Sequence, residues 1–475
     1  MIKYLKILLK TSFIVLILIV SFTLRYKNYD QIPLVGQSVD EYSNSWVGLS
    51  LIKTGYPVGI TNMKGYKNND YRYVNVDHIY QKLEGTPFNI GKPWFDHPPL
   101  MGILTGSYTY FKGAQVFEDV RLFLIRKPMV YLGTFSVLLV FLICFLNFNY
   151  FTGLIAAIVY GTTPFIVITS RMAQAENGVI PMFLLSLLFY SLFKKNKHYF
   201  YLFLSAVFAG LATLFKIPGV VSILSIIFLI YSDNKKQLKN QPDKVEEIIF
   251  FSTIAFSITS LFVIYGFIYD WTTFKNIFNT NANRYYGIGP YSIFHLLTQN
   301  KITNSKNMTD AWIITSWIPF FILMFRKKIN FGEKLIIVST LSYLAIYIIL
   351  GSDPFGWYTF PFLPFISIAL ARILYLGFNN IRYMVSSFIL LLIPLGFNIS
   401  HFIDIPSFQK YSNIWRFSLG FLIILFIFLK LKKLNYPKFV YLFIRLILIL
   451  IFATTIYLNI KYVSSININT WYGID

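Results

Sequence analysis

Charge is scarce in this chain. Only 13% of its 475 residues are Asp, Glu, Lys or Arg, about half the share in an ordinary soluble domain, and that excludes a water-soluble globular enzyme. Acids are the scarcer sign, 20 against 42 Lys and Arg, which leaves a formal net charge of +22. Cysteine is nearly absent. Cys144 stands alone in an apolar run, so neither an intrachain disulfide nor a cysteine metal cluster can form. Also missing are the phosphate loop G-x-x-x-x-G-K-[ST], a G-x-G-x-x-G after a strand, H-E-x-x-H and C-x-x-C. No Asp-x-Asp of the kind that holds a metal-bound nucleotide sugar occurs, and no soluble domain of useful size exists to house such chemistry.

What is abundant is apolar surface. Hydrophobic residues make up 56% of the chain and aromatics 19%, with 49 Phe and 34 Tyr, which rules out a disordered or collagenous polypeptide. A membrane-spanning helix needs about 20 mostly apolar residues. Candidates lie near 6–24, 123–147, 149–169, 179–194, 198–215, 218–232, 248–270, 311–325, 335–351, 360–378, 383–399, 414–431 and 438–460. The expected fold is therefore an all-α polytopic membrane protein of about 13 spans. The first span carries Lys3, Lys6 and Lys10 before its apolar run, and no small-residue cleavage site follows. It reads as a retained transmembrane helix rather than a signal peptide.

Orientation follows from the short loops. With the N-terminus cytoplasmic, Lys194, Lys195, Lys197, Lys235, Lys236, Lys239 and Lys244 fall inside, as do Arg326, Lys327, Lys328, Lys334, Arg382, Lys430, Lys432, Lys433 and Lys438. Every second connection is basic, as the positive-inside rule demands. The excess of +22 is then a topology signal, and a nucleic-acid partner drops out. The longest external segment, 25–122, follows the first span and gathers Asp30, Asp40, Glu41, Asp70, Asp77, Glu84 and Asp96. Its aromatic-rich stretches carry helix signals, so short interfacial helices are expected there. Segment 271–310 is polar and Asn-rich, and 352–359 is a third external piece.

Several constellations on the external side carry potential chemistry. Asp40-Glu41-Tyr42 opens an amphipathic stretch that ends at Gly55. Acids at a helix start are ordinary caps; a carboxylate beside an apolar surface is also placed to act as a general base. Trp94-Phe95-Asp96-His97-Pro98-Pro99 pairs an acid with a histidine at a second helix start, and two adjacent residues do not define a metal site. Arg171 and Glu176 lie at the outer end of the third span, where an exposed ion pair carries little energetic weight. Lys216 sits between two spans with almost no loop, on the outer side and against the charge trend. It either snorkels or meets an anion. Tyr358 lies in an aromatic and Pro-rich span start, and Arg284-Tyr285-Tyr286 is a further anion-contact candidate.

In their order and spacing these elements resemble the GT-C glycosyltransferases. The closest likeness is to the protein O-mannosyltransferase and lipid A aminoarabinose transferase group, with its bacterial Rgt-type members. The resemblance covers roughly residues 5–370 and rests on Asp40-Glu41, Phe95-Asp96-His97-Pro98-Pro99-Leu100, Arg126-Lys127-Pro128, Arg171 with Glu176, Lys216 with Gly219, and Tyr358…Pro361…Pro364. It implies a GT-C catalytic core over 1–370 and additional transmembrane helices over 371–475. It also implies inverting transfer of a sugar from a polyprenyl-phosphate donor to a glycan, lipid or protein acceptor at the external face of the plasma (inner) membrane. By carry-over, Asp40 is the base and Glu41 its neighbour. Asp96, His97 and Glu176 line the sugar or acceptor side, and Arg126, Arg171, Lys216, Arg284 and Tyr358 complete the substrate contacts. Relatives often have Lys where His97 stands and Asp where Glu176 stands. Some carry a divalent metal near the acids, for which Asp40, Asp96, His97 and Glu176 are the candidate ligands. The main rival reading is a transporter or flippase, whose functional charges would lie near the bilayer midplane. An O-antigen polymerase or ligase usually carries its large external loop late in the chain.

Overall fold

A computed structural model describes residues 2–34, 40–66, 70–74, 76–77, 88–232, 244–283, 289–298, 302, 308, 310–350, 356–402, 405–410, short stretches between 412 and 424, and 438–472. Helices dominate it. Among the described residues eight helices are long and apolar enough to cross a membrane. They are α1 (Ile2–Tyr26), α4 (Leu122–Asn147), α7 (Ala175–Asn196), the pair α10 (Lys244–Thr259) and α11 (Leu261–Tyr269), α15 (Phe331–Leu350), the 3-10 segment Gly356–Phe362 with α16 (Leu363–Asn379), α17 (Ile381–Ser400), and the C-terminal helix Lys438–Ser465. Four shorter apolar helices join them: α5 (Tyr150–Thr162), α8 (Tyr199–Phe215), α9 (Val221–Tyr231) with its 3-10 entry, and α14 (Ala311–Met324). Twelve of the thirteen expected spans fall on these helices; the remaining one, 414–431, lies mostly outside the described residues.

Local chemistry sets the breaks. The expected span 149–169 is two helices, because Pro164 cannot continue the ladder of α5 and instead starts α6 (Pro164–Thr169) at its first turn. Asn149 caps α5 by accepting the Thr152 N–H at 2.9 Å. Asp310 caps α14 through the Trp312 N–H at 2.8 Å and takes the Phe165 N–H of α6 at 2.9 Å with its other oxygen. One carboxylate thus serves the free N–H groups of two helices.

Segment 25–122 holds the expected interfacial helices, α2 (Asp40–Thr54) and α3 (Leu100–Phe111). They touch almost backbone to backbone. A Cβ on Gly48 would stand 1.8 Å from the Gly102 carbonyl oxygen, and one on Gly106 would stand 2.4 Å from the Gly48 carbonyl carbon, so glycine is required at all three positions. The segment also holds a small antiparallel sheet that the sequence did not announce. Its strands are β1 (Gly59–Ile60), β2 (Asp70–Arg72) and β3 (Phe88–Gly91), in the order β1-β3-β2. Strands this short show no usable alternation.

Charges assigned to alternate loops gather at one end of the bundle. Lys197 pairs with Glu247 at 3.1 Å, Glu333 pairs with Arg326 at 2.5 Å and Arg372 at 3.0 Å, and Lys334 bonds the Ser232 carbonyl. At the opposite end the C-terminal helix is stapled to the core. Asn459 Oδ1 accepts from Trp312 Nε1 at 2.9 Å and from Asn398 Nδ2 at 2.6 Å, while Lys27 bonds the Ser464 carbonyl at 2.6 Å. The boundary expected at residue 370 falls inside α16, and the helices beyond it pack into the same bundle as those before it.

Candidate active site

Three consecutive residues at the start of α2 do three different things. Glu41 is buried against Arg126 of α4 in a two-pronged pair, Nε to Oε1 at 2.9 Å and Nη2 to Oε2 at 2.8 Å, and its Oε1 also accepts the Ala173 N–H at 2.8 Å. Such a fork fixes direction as well as distance. Tyr42 donates to Asp77 Oδ2 at 3.0 Å, and the same oxygen accepts the Leu122 N–H of α4 at 2.6 Å. Burial and the Asp77 carboxylate push the Tyr42 phenol up, so it stays a donor. Asp40, the half-buried residue just before these anchors, lies within electrostatic reach of Lys216.

Lys216 is placed by two glycines. Gly219 lets the chain turn back on α8: a Cβ there would meet the Ala212 carbonyl oxygen at 2.2 Å. Gly178 of α7 accepts the Phe215 ring, since a Cβ there would stand 2.1 Å from Phe215 Cδ1. Phe215 belongs to the same buried apolar cluster as Tyr42 and Trp46 of α2, whereas Leu214 and Ile217 belong to a second cluster with Phe95 and Tyr66. The lysine between them therefore lies where the two clusters meet. Its Nζ bonds Glu176 Oε1 at 2.5 Å and stands 4.8 Å from the centre of the Tyr358 ring. Asp40, Glu176, Lys216 and Tyr358 thus come together.

Asp96 and His97 directly follow Phe95 of the second cluster. Asp96 Oδ1 accepts from Tyr66, whose hydroxyl also takes the Phe95 N–H at 2.8 Å. The Asp96 carbonyl accepts from Asn281 of α12 (Trp271–Ala282) at 3.1 Å, and His97 meets Trp94 edge-on with 6.0 Å between ring centres. Tyr265 braces the same turn by donating to the Trp94 carbonyl at 2.9 Å.

Arg126 and Arg171, expected on substrate, are occupied by the protein itself. Beyond Glu41, Arg126 Nη1 reaches the carbonyls of Tyr29 at 3.2 Å and Pro33 at 2.5 Å. Arg171 donates to the carbonyls of Leu24 at 2.7 Å and Ile32 at 3.4 Å. Arg25, which the sequence did not single out, bonds Ser21 and the Gly161 carbonyl, the latter at 3.0 Å. Buried guanidinium groups here satisfy carbonyls at the ends of α1 and α5, where helix dipoles favour a cation. Burial and the two neighbouring arginines lower Arg171 to about 9. Arg284 lies outside the described residues.

Two of the four candidate metal ligands are engaged by protein groups. Glu176 already carries the Lys216 ammonium and Asp96 the Tyr66 hydroxyl, and among the described residues no three His, Cys, Asp or Glu side chains group as a metal site. Tyr42 and Asp77 were visible in the sequence without a role, and Tyr66 and two buried tyrosines of α15, Tyr343 and Tyr347, were not singled out. An i, i+4 tyrosine pair near the outer end of an apolar span was the available signal for the last two.

A polytopic helical bundle with its polar cluster at one end, built largely by segment 25–122, has the fold of the GT-C membrane glycosyltransferases. Residues 96–265 match the family model described as dolichyl-phosphate-mannose-protein mannosyltransferase. ArnT from Cupriavidus metallidurans is similar over 96% of this chain and 77% of its own, at a TM-score of 0.57 and 11% identity. The same enzyme bound to undecaprenyl phosphate aligns over 96% of this chain and 78% of its own, at 0.53 and 12% identity. The archaeal oligosaccharyltransferase AglB from Archaeoglobus fulgidus, solved with an inhibitory peptide and a dolichol-phosphate, aligns over 97% of this chain at 0.54 and 12% identity. The chain spans 56% of the length of that relative. No curated protein sequence matches it.

Proposed function

We propose that the protein transfers a sugar from a polyprenyl-phosphate donor to an acceptor hydroxyl of a glycan, lipid or protein, with inversion at the anomeric carbon. The observation that carries this reading is the meeting of Asp40 with the buried Lys216–Glu176 pair at one end of the bundle. A lipid-bound phosphate on the ArnT relative and on AglB supports the donor class, as does the family match. Asp40 accepts the proton of the attacking hydroxyl as it adds to the anomeric carbon. The bond to the phosphate oxygen breaks, and Lys216 stabilises the charge gathering on the leaving lipid phosphate. Positioned bases of this kind contribute roughly 10²–10⁴-fold, and fixed cations at developing charge act most strongly where water is excluded. Glu41 and Arg126 orient the base. The end carrying Lys197, Arg326 and Lys334 is the cytoplasmic one, by the distribution of basic loops, and the site faces the outside of the plasma (inner) membrane.

The test is to incubate purified protein with a panel of polyprenyl-phosphate sugars and measure free lipid phosphate. The wild type releases it, Asp40→Asn does not at equal membrane expression, and Lys216→Ala weakens donor binding. Undiminished turnover by Asp40→Asn removes Asp40 from the mechanism.

A further inference from the structure

α9 runs from the Lys216 turn at one end of the bundle to Ser232 at the other, and two lysines from different helices close on that far end. Lys244 opens α10, and its ammonium donates to the Tyr231 carbonyl at 3.3 Å. Lys334, in the first turn of α15, donates to the next carbonyl along, that of Ser232. Consecutive carbonyls bring the two ammonium groups side by side, and Lys334 lies within electrostatic reach of Lys244. The helix C-terminus between them offers only about half an elementary negative charge. The described acids of this end are engaged elsewhere. Glu247 is held by Lys197 and Glu333 by Arg326 and Arg372, while Glu246 lies within reach of Tyr199. Among the described residues no carboxylate meets Lys244 or Lys334. Residues 233–243 lie outside the described residues; by sequence they bring Lys235, Lys236 and Lys239 against Asp233 and Asp243, which leaves the sign positive. Both lysines are half-buried. About one turn further into the apolar layer, Phe228 of α9 and Ile249 of α10 are 54% and 60% exposed.

We propose that Lys244 and Lys334 bind the phosphate of an anionic phospholipid, whose acyl chains lie against Phe228 and Ile249. The site is separate from the cluster at Asp40 and does not rest on the glycosyl-transfer reading. An ammonium carries three donors, and each lysine directs one at an α9 carbonyl, so both have donors left for phosphate oxygens. A bound phosphate also relieves the repulsion between two like charges held together. Basic sites between membrane helices at the cytoplasmic side suit anionic headgroups. A free phosphate would satisfy the lysines and leave the apolar rim bare, whereas a lipid covers both. The same pair selects among lipids. A choline headgroup would bring a third cation to the place, and a glycerol headgroup brings none. The occupant ties α9, α10 and α15 together at this end.

The experiment titrates the purified full-length protein in detergent with phosphatidylglycerol, phosphatidylcholine and inorganic phosphate, and reads bound lipid by native mass spectrometry. Phosphatidylglycerol binds at least about tenfold tighter than phosphatidylcholine, a difference of about 1.4 kcal/mol, and excess inorganic phosphate does not displace it. Lys244→Gln with Lys334→Gln removes the preference. Lys244→Gln alone, which gives up one bond to an exposed carbonyl and leaves the fold intact, loses at least about threefold of it. Lys327→Gln with Lys328→Gln is the control: it takes the same charge from exposed lysines of the same end and leaves the preference near wild type. No preference in the wild type, or a full preference in Lys244→Gln, overturns the site. An equal loss in the control pair overturns it too, because the effect is then the diffuse charge of a basic end. Displacement by inorganic phosphate overturns the lipid as the occupant.

Discussion

Asp40 and Glu41 are neighbours with the same chemistry, and the structure gives them different surroundings. Replacing Glu41 with Gln keeps its volume but turns one acceptor into a donor. Both Glu41 oxygens face N–H groups, at 2.8–2.9 Å from Arg126 and Ala173, so the amide nitrogen opposes a donor in either orientation. Arg126 keeps the carbonyls of Tyr29 and Pro33 but loses its counter-charge inside the protein. Breaking a buried pair from one side costs about 3–5 kcal/mol, roughly a thousandfold in the folding equilibrium. Equilibrium unfolding in detergent therefore shows a large loss for Glu41→Gln, whereas Asp40→Asn, at a half-buried position, stays within about 1 kcal/mol of wild type. Lipid-phosphate release shows the reverse contrast per folded molecule: Asp40→Asn falls by roughly 10²-fold or more. A double change, Glu41→Leu with Arg126→Met, recovers part of the stability because an apolar pair needs no counter-ion. A fully stable but inactive Glu41→Gln would refute this division and make Glu41 part of the chemistry.

Gly178→Ala drives a methyl into Phe215, whose ring lies 2.1 Å from the added carbon. The expected cost is about 1–3 kcal/mol of stability, together with a fall in kcat as Lys216 is displaced. Gly396→Ala is the control, because nothing lies within 4 Å of its added carbon, and it leaves both measurements near wild type. Burial raises the Asp310 carboxyl to about 6, above the roughly 3.9 of an unfolded chain. The folded state therefore keeps a proton that the unfolded state has released. This contribution is complete below about pH 4, is lost as pH rises to about 6, and is flat above. Unfolding measured from pH 4 to 7 should show a shallower decline in Asp310→Asn than in wild type.

Hydropathy and loop charge made the membrane architecture legible, because a span is a local property of composition. Lys216 was legible for the opposite reason: it breaks the charge trend. The division between Asp40 and Glu41 was not, since adjacency on a helix does not say which side chain meets a guanidinium 85 residues away. Nor were the duties of Arg126 and Arg171. They depend on which backbone carbonyls become buried without partners, and that is decided only when α1, α4 and α5 pack together. Tyr343 and Tyr347 sit among the many aromatics of the spans, where a phenol reads as a belt residue until a carboxylate is found beside it.

Arg25 carries a consequence for biosynthesis. Its guanidinium closes α1, yet the Gly161 carbonyl that it bonds lies 136 residues further along. While the nascent chain is being made, the first span enters the membrane with a full charge whose cross-chain partner has not been synthesised. Until α5 has been made, the bond to Ser21 within its own helix is the one of these contacts that can form. The contacts that Arg25 makes across the chain thus form only after a third of the polypeptide has been delivered.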